Sequence, residues 1–116
     1  RNLIIMKHII LLGDSIFDNA TYVANTPVIE QVQNILPDGD RATLLAVDGS
    51  KIREVIQQLD RLPDDATHLF ISVGGNDAIK YGSMLSEIGS SLELFDRIAS
   101  MKVDFQQDYK HMLAFV

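Results

Sequence analysis

The residue of greatest chemical interest is Ser15, which follows a short apolar run at residues 9–12 within the sequence Gly13-Asp14-Ser15. An apolar run closed by glycine predicts a buried strand, and open α/β folds bind ligands at the carboxyl edge where such a strand ends. Two further predicted strands end in small polar turns, at residues 48–50 and 74–77. Because the carboxyl ends of parallel strands meet at one edge, we expect the three turns to face one crevice.

The residue types in these turns fit acyl transfer, which needs a hydroxyl nucleophile, a base and hydrogen-bond donors directed at an oxyanion. Ser15 supplies the hydroxyl, and its backbone N–H is one donor. The N–H of Gly49 is a second donor, because a residue without Cβ lets the backbone approach a substrate. The side-chain amide of Asn76 is the third. Each residue also has a simpler interpretation: Ser15 as a helix N-cap, Gly49 as a left-handed turn residue, and Asn76 as a structural turn amide.

With these motifs the chain resembles the SGNH (GDSL-type) esterases and lipases. Gly13-Asp14-Ser15 is similar to the first block of that family, Gly49 to the glycine of its second block, and Gly74-Gly75-Asn76-Asp77 to its third block. The resemblance covers about residues 7–80 and implies a flavodoxin-like α/β/α fold with a parallel sheet. It also implies hydrolysis of carboxylic esters or thioesters through an acyl-enzyme on Ser15, without a metal or organic cofactor.

Four other residues of the matched blocks are expected to support the site. Asp14 is interpreted as a hydrogen-bonding brace for its own turn, and Asp77 as a cap for the segment that follows it. Gly13 and Gly75 complete the first and third blocks.

The fourth block of the family is an Asp-x-x-His that supplies the base and its orienting acid, and it has no convincing counterpart here. His8 and His68 begin predicted strands and therefore lie far from the edge that carries Ser15. Asp108-Tyr109-Lys110-His111 has the right spacing but falls inside a helical pattern, so His111 is interpreted as a surface histidine. The catalytic pair is expected beyond residue 116, and this chain alone is expected to show little activity.

Two other functions stay open at this point. A noncatalytic binding module would keep the crevice, lack the base, and bind an ester or carbohydrate without turnover. A flavodoxin-like regulatory or nucleotide-binding domain would need a phosphate-binding loop, and the sequence has no Gly-rich loop ending in Gly-Lys-Ser or Gly-Lys-Thr.

The composition narrows the classes of protein further. With 116 residues, 47% of them apolar, the chain can form one domain with its own core. Its net charge of −6, with 10 scattered Lys and Arg residues, argues against a nucleic-acid partner. The absence of cysteine excludes disulfides and thiolate metal sites. No apolar run has the length of a membrane span or signal peptide, so we expect a cytoplasmic location. The resemblance to the SGNH family implies a small-molecule ester as the substrate.

Apolar periodicity predicts an alternation of strands and helices, and hence a parallel sheet with right-handed crossovers. Thr26 is expected to cap the first helix, and Asp18 and Asn19 either line the pocket or cap a short helix. The predicted strands are residues 7–13, 42–47 and 67–73. The predicted helices are residues 27–36, a segment marked by Ile52, Val55, Ile56 and Leu59, and residues of about 84–99 and 103–116.

Three parallel strands are few for this architecture, since domains of the family it resembles have a sheet of about five strands. The final residues 111–116 are also apolar and lack a helix cap. Residues 1–116 are therefore interpreted as the N-terminal part of a single domain, with residues 1–5 either an expression remnant or an upstream extension. The third strand would have an open edge. Poor stability, self-association through this edge, or completion by another chain is expected.

Overall fold

A three-stranded parallel sheet forms the centre of the protein in a computed structural model that describes residues 6–116. The strands are β1 (His8–Gly13), β2 (Arg41–Leu44) and β3 (His68–Ser72), in the order β2-β1-β3. Both neighbours of β1 run parallel to it. The three carboxyl ends therefore lie at one edge, which confirms the predicted sheet.

Helices cover both faces of this sheet. Within residues 6–116 they are α1 (Val28–Ile35), α2 (Ile52–Leu59), α3 (Gly75–Leu85) and α4 (Ser91–Leu113). The connections from β1 to β2 and from β2 to β3 cross the sheet in opposite directions, so right-handed crossovers put α1 and α2 on opposite faces. Helix α1 contacts β2, whereas α2 contacts β1 and α4. The result is the predicted three-layer α/β/α arrangement of flavodoxin-like proteins.

The main core lies between the sheet and the α2–α4 layer. Ile10 and Leu12 are two residues apart on β1 and so point to one face, where they meet Ile52 and Val55 of α2 and Met112 of α4. All five side chains are completely buried. Burying side chains of this size stabilises the fold by roughly 1.5–3 kcal/mol each. This contact fixes β1, which leads into the first polar turn, against α2, which begins just after the second.

Strand β2 is shorter than predicted. It ends at Leu44 rather than at residue 47, because the N–H groups of Leu45 and Ala46 both donate to the carbonyl oxygen of Leu11. Two residues opposite one partner interrupt the ladder in the manner of a bulge. The other strand boundaries lie within one residue of the prediction.

The predicted N-cap of α1 is wrong. Pro27, not Thr26, is the N-cap residue, and proline offers no side-chain acceptor. The side-chain oxygen of Asn19 instead accepts a hydrogen bond of 3.0 Å from the N–H of Val28, at the start of the helix. Asn19 therefore caps a helix, which resolves one of the two roles left open for it.

The two C-terminal helices also differ from the prediction of residues 84–99 and 103–116. Helix α3 starts at Gly75, with two residues between it and the end of β3, and α4 is continuous through residues 100–102, where a serine, a methionine and a lysine do not stop a helix. The break lies at residues 86–90. There the Ser90 side chain accepts a hydrogen bond of 3.2 Å from the N–H of Glu93 and caps α4.

The molecule is elongated, with dimensions of 67 × 35 × 20 Å and a radius of gyration of 18.0 Å. A compact domain of this length has a radius of gyration of about 13 Å. Leu92 and Phe95, in the first half of α4, are 77% and 68% exposed, whereas Met112 near its end is buried. Helix α4 thus extends past the sheet. Among the helices of residues 6–116, none combines the length and hydrophobicity that crossing a bilayer requires.

The outer sides of the two flanking strands, β2 and β3, differ in whether their backbone groups are covered. At the outer edge of β2, the N–H of Ala42 donates to Oε1 of Gln33 in α1 at 2.9 Å. This side chain occupies a backbone donor that would otherwise be open to another strand. Within residues 6–116 no strand pairs with the outer edge of β3. The pairing of that edge with a further strand or chain stays a prediction.

A buried histidine lies at the end of the sheet where the strands begin, which we call the amino edge; the carboxyl edge is where they end. His8, 3% exposed, places Nδ1 at 2.8 Å from Oδ1 of Asp65 and Nε2 at 2.6 Å from Oγ1 of Thr43. Arg41 forms an ion pair with the same aspartate. The hydrogen bond with His8, together with Arg41, holds the pKa of Asp65 below its ordinary value.

Replacing Asp65 should remove part of the pH dependence of stability. A carboxyl whose pKa is lowered by folding stabilises the protein above its unfolded pKa of about 4, and this stabilisation disappears as the pH falls through the lower folded value. We expect the free energy of unfolding of Asp65→Asn, measured by urea denaturation between pH 3 and 7, to fall less steeply below pH 4. Asp64→Asn, next to it and exposed, is the control. Equal slopes for the two variants would contradict this role.

Candidate active site

The first turn begins where β1 lies close against the end of β3. Gly13 ends β1 with a φ of +125°, and a Cβ atom there would overlap the carbonyl group of Ser72. The next residue, Asp14, donates its N–H to the same Ser72 oxygen at 3.0 Å. Only glycine fits this position, and the chain then turns away from the sheet at Ser15, which is half-buried.

Asp14 braces the turn, as predicted. Its side chain is 5% exposed, and its Oδ1 accepts from the N–H of Ile16 at 3.2 Å. Its carbonyl oxygen accepts from the N–H groups of Phe17 and Asp18, at 3.2 and 3.0 Å. The turn that contains Ser15 is therefore closed by hydrogen bonds to the side chain and to the backbone carbonyl of Asp14.

The second turn is attached to the end of β1. The N–H of Val47 donates to the carbonyl oxygen of Gly13 at 3.0 Å, and the N–H of Ser50 closes the turn onto Val47 at 3.1 Å. Gly49, between them, has a φ of +84°, and no atom lies within 4 Å of where its Cβ would be. The left-handed conformation favours glycine, and the space in front of it is open.

The third block differs from its predicted form as a turn. Gly74 is the N-cap of α3, so Gly75, Asn76 and Asp77 already form the first turn of this helix. The Nδ2 of Asn76 donates to the carbonyl oxygen of Ser50 at 3.0 Å. This bond connects the third block directly to the turn of Gly49.

The predicted role of Asp77 as a cap for the following segment is wrong. Its side chain is 6% exposed, and Oδ1 accepts a hydrogen bond of 3.0 Å from the N–H of Ile52, at the start of α2. Asp77 therefore caps α2, a helix that precedes it in the chain. A carboxylate is well placed there, because the N-terminus of a helix carries partial positive charge.

Two further aspartates tie the first turn to the second. Oδ2 of Asp18 accepts from the N–H of Asp48 at 2.7 Å, so this side chain fastens one turn to the other. The hydroxyl of Tyr22 donates to Oδ2 of Asp48 at 2.7 Å. This bond and the charge of Asp48 raise the pKa of Tyr22 above its ordinary value.

Gln58 is a site residue that the sequence interpretation missed. Its side chain is 6% exposed and bonds to both backbone groups of Gly13 and to the hydroxyl of Ser50. The available signal was a polar residue on the apolar stripe of α2, three positions after Val55.

The histidines of residues 6–116 lie away from these turns. His8 is engaged at the amino edge, and His68 is the first residue of β3. His111 is exposed near the end of α4, where its ring packs edge-on against Phe115, and Asp108 bonds to Arg53 instead. The expectation that His111 is a surface histidine is confirmed.

Several donors at the carboxyl edge have no internal partner. Within residues 6–116, no group accepts from the N–H of Ser15 or Gly49, and the Ser15 hydroxyl has no hydrogen bond. Asn76 uses one of its two amide hydrogens on Ser50, which leaves the other available. In the same described region, no cluster of three or more His, Asp or Glu side chains could hold a metal ion.

No protein-family model matches the chain, and no curated protein matches it. Among solved structures it is similar to AlinE4, an SGNH-hydrolase family esterase, with a TM-score of 0.56 and 18% sequence identity. The match covers 91% of this chain and 56% of the AlinE4 chain. Two mutants of the same esterase match with the same TM-score, at 18% and 17% identity.

The chain thus spans little more than half the length of the esterase that it matches. At this level of identity, the likeness shows the fold alone. The chain has the α/β fold of SGNH hydrolases, and this agrees with the fold that the sequence motifs imply.

Substituting Gly13 tests how strictly the first turn depends on the approach of β1 to β3. Gly13→Ala should lower the free energy of unfolding by more than about 3 kcal/mol, because the new Cβ meets backbone atoms and the φ is unfavourable. Gly82→Ala is the matched control, since its Cβ would point into open space from the interior of α3. That change should stabilise the protein by about 0.5–1 kcal/mol. Equal denaturation midpoints for Gly13→Ala and wild type would refute the packing argument.

Proposed function

We propose that the protein is a serine ester hydrolase that cleaves carboxylic esters or thioesters through an acyl-enzyme on Ser15. The observation that carries the proposal is the linkage of two turns and the start of α3 at one sheet edge. One turn bears a free hydroxyl, and the N–H groups of Ser15 and Gly49 have no acceptor within residues 6–116. The third element, α3, brings the Asn76 amide to the second turn. Fold and motifs agree with this class.

In the proposed reaction, Ser15 Oγ attacks the carbonyl carbon while a base takes the hydroxyl proton. The negative charge that develops on the carbonyl oxygen accepts hydrogen bonds from the N–H of Ser15, the N–H of Gly49 and the free hydrogen of Asn76. Collapse breaks the ester bond, and the alcohol or thiol leaves with that proton. Water then attacks the acyl group in the same way, which releases the acid and restores Ser15.

The base in this proposal is a histidine, oriented by an aspartate, that lies outside residues 6–116. The described histidines support this, because His8 and His68 lie at the amino edge of the sheet and His111 at the end of α4. The activity is therefore proposed for the full-length protein. The small-molecule ester as substrate and the cytoplasmic location both stay predictions.

A noncatalytic binding module is the second candidate. The observation that favours it is that the histidines within residues 6–116 lie far from Ser15. Such a module would bind an ester without turnover, and its serine would not react with an electrophile. Reactivity of Ser15 therefore separates the two functions.

Fluorophosphonate labelling provides that test. The full-length protein should be labelled at a single serine, identified as Ser15 by peptide mass spectrometry, because an activated hydroxyl attacks phosphorus. Ser15→Ala should abolish labelling, whereas Ser83→Ala, an exposed serine of α3, should leave it unchanged. A folded wild-type protein without labelling would favour the binding module.

Replacing Asn76 tests the third oxyanion donor. Asn76→Ala should lower kcat for a p-nitrophenyl ester by about two orders of magnitude, since loss of one such donor raises the barrier by about 3 kcal/mol. Losing the bond to Ser50 should cost only about 1 kcal/mol of stability, so the variant should stay folded. Asn34→Ala on α1, an exposed asparagine, is the matched control. Turnover of Asn76→Ala at the wild-type rate would rule out this role.

A further inference from the structure

We infer that Gln58 is a positioning residue that sets the geometry of all three candidate catalytic elements through one buried chain of hydrogen bonds. This inference rests on the proposed function. Gln58 lies on α2, outside the three motif blocks, and within residues 6–116 its side chain bonds to Gly13 and Ser50 rather than to Ser15 or Gly49. Its role is to hold the backbone from which those residues project.

The first part of the chain is a two-point pairing between the Gln58 amide and the peptide groups of Gly13. The N–H of Gly13 donates to Oε1 at 2.8 Å, and Nε2 donates to the carbonyl oxygen of Gly13 at 2.8 Å. Gly13 is two residues before Ser15. The side chain therefore acts as a short additional strand at the end of β1, and it fixes the direction in which the chain leaves the sheet.

The second part extends from Gln58 to the oxyanion donors. Nε2 also donates to Oγ of Ser50 at 3.2 Å, and the carbonyl oxygen of Ser50 accepts from Nδ2 of Asn76 at 3.0 Å. Ser50 directly follows Gly49. One continuous path thus connects the turn of Ser15, the turn of Gly49 and the amide of Asn76.

The path is buried, and the Gln58 amide uses all of its donors in it. Gln58 and Ser50 are 6% and 3% exposed. Both hydrogens of Nε2 are used, one on Gly13 and one on Ser50, so the amide has a single orientation; turning it over would place oxygen against oxygen. Buried hydrogen bonds of this kind are stronger than exposed ones and restrict movement.

Packing alone does not explain a glutamine at this position. Ile52 and Val55 on the inner face of α2 are completely buried, and an apolar residue at position 58 would extend that face without the cost of desolvating an amide. What the amide adds is direction, because it holds Gly13 and Ser50 at fixed distances from each other.

The test compares Gln58→Met with Gln57→Met in the full-length protein. Methionine has a similar volume and cannot form these bonds, and Gln57 is exposed on the same helix. With p-nitrophenyl acetate, Gln58→Met should lower kcat by roughly 10- to 100-fold, the effect of a misplaced catalytic group, with KM changed less than about twofold. Gln57→Met should match wild type in both constants.

Ser50→Ala keeps the inference testable if Gln58→Met does not fold. It removes the hydroxyl that joins Gln58 to the second turn and leaves the pairing with Gly13 intact. NMR spectra of both variants should show shifted side-chain amide resonances of Asn76. The Gln58→Met spectrum is the decisive one, because Asn76 bonds to the Ser50 backbone but not to Gln58. A merely structural role would lower the melting temperature without moving these resonances or kcat.

The outcomes separate this inference from the function on which it rests. Unchanged Asn76 resonances, or wild-type kcat in both Ser50→Ala and a folded Gln58→Met, would overturn the role of Gln58. Absence of both turnover and fluorophosphonate labelling in wild type would overturn the proposed hydrolase and with it any kinetic role. Shifted Asn76 resonances in that case would still support the coupling between the turns.

Discussion

The candidate site depends on the backbone hydrogen bonding at the end of β1. The carbonyl oxygen of Gly13 accepts from the N–H of Val47 and from the Gln58 side chain, while the N–H of the next residue, Asp14, binds Ser72 of β3. These bonds join the central strand to the elements on both sides within one residue of its end. If that point moved by an ångström, the serine turn and the glycine turn would separate, and a rate that depends on their geometry would fall.

Around the end of β1, aspartate side chains hold neighbouring segments together by accepting hydrogen bonds from backbone N–H groups. Asp14 and Asp77 are buried, and Asp18 lies between the first and second turns, yet each accepts from a backbone N–H. An unpaired buried carboxylate would be costly, whereas one bound to N–H groups is stabilised by charge-assisted hydrogen bonds. The three carboxylates thus hold the turns in place without using the N–H groups of Ser15 and Gly49.

The sequence was informative where structure is local. Apolar runs closed by glycine predicted each strand, and the motifs predicted that Ser15, Gly49 and Asn76 would follow strand ends at one edge. Apart from the boundaries of β2, α3 and α4, the errors concern contacts between distant residues. Nothing near Thr26 indicates that Asn19 caps α1, and nothing near Asp77 indicates that it caps α2. In each case the capping side chain and the start of its helix come together only when the chain folds. Gln58 was missed for the same reason: its partners are 45 and 8 residues away.

A comparison of the amino edge with the carboxyl edge shows why residue type alone does not define an active site. At the amino edge, Asp65, His8 and Thr43 form an acid–imidazole–hydroxyl set with hydrogen-bond distances of 2.8 and 2.6 Å. This is the chemical combination that a serine hydrolase requires, but His8 is 3% exposed, and β1 places it about 20 Å from the opposite edge. A substrate therefore cannot reach its ring, whose two nitrogens are already bonded to Asp65 and Thr43. At the carboxyl edge the donors and the hydroxyl are accessible, and none of the histidines within residues 6–116 lies there. The proposed catalysis at Ser15 would therefore require a base at the carboxyl edge, and His8 could not provide it without breaking its hydrogen bonds at the amino edge.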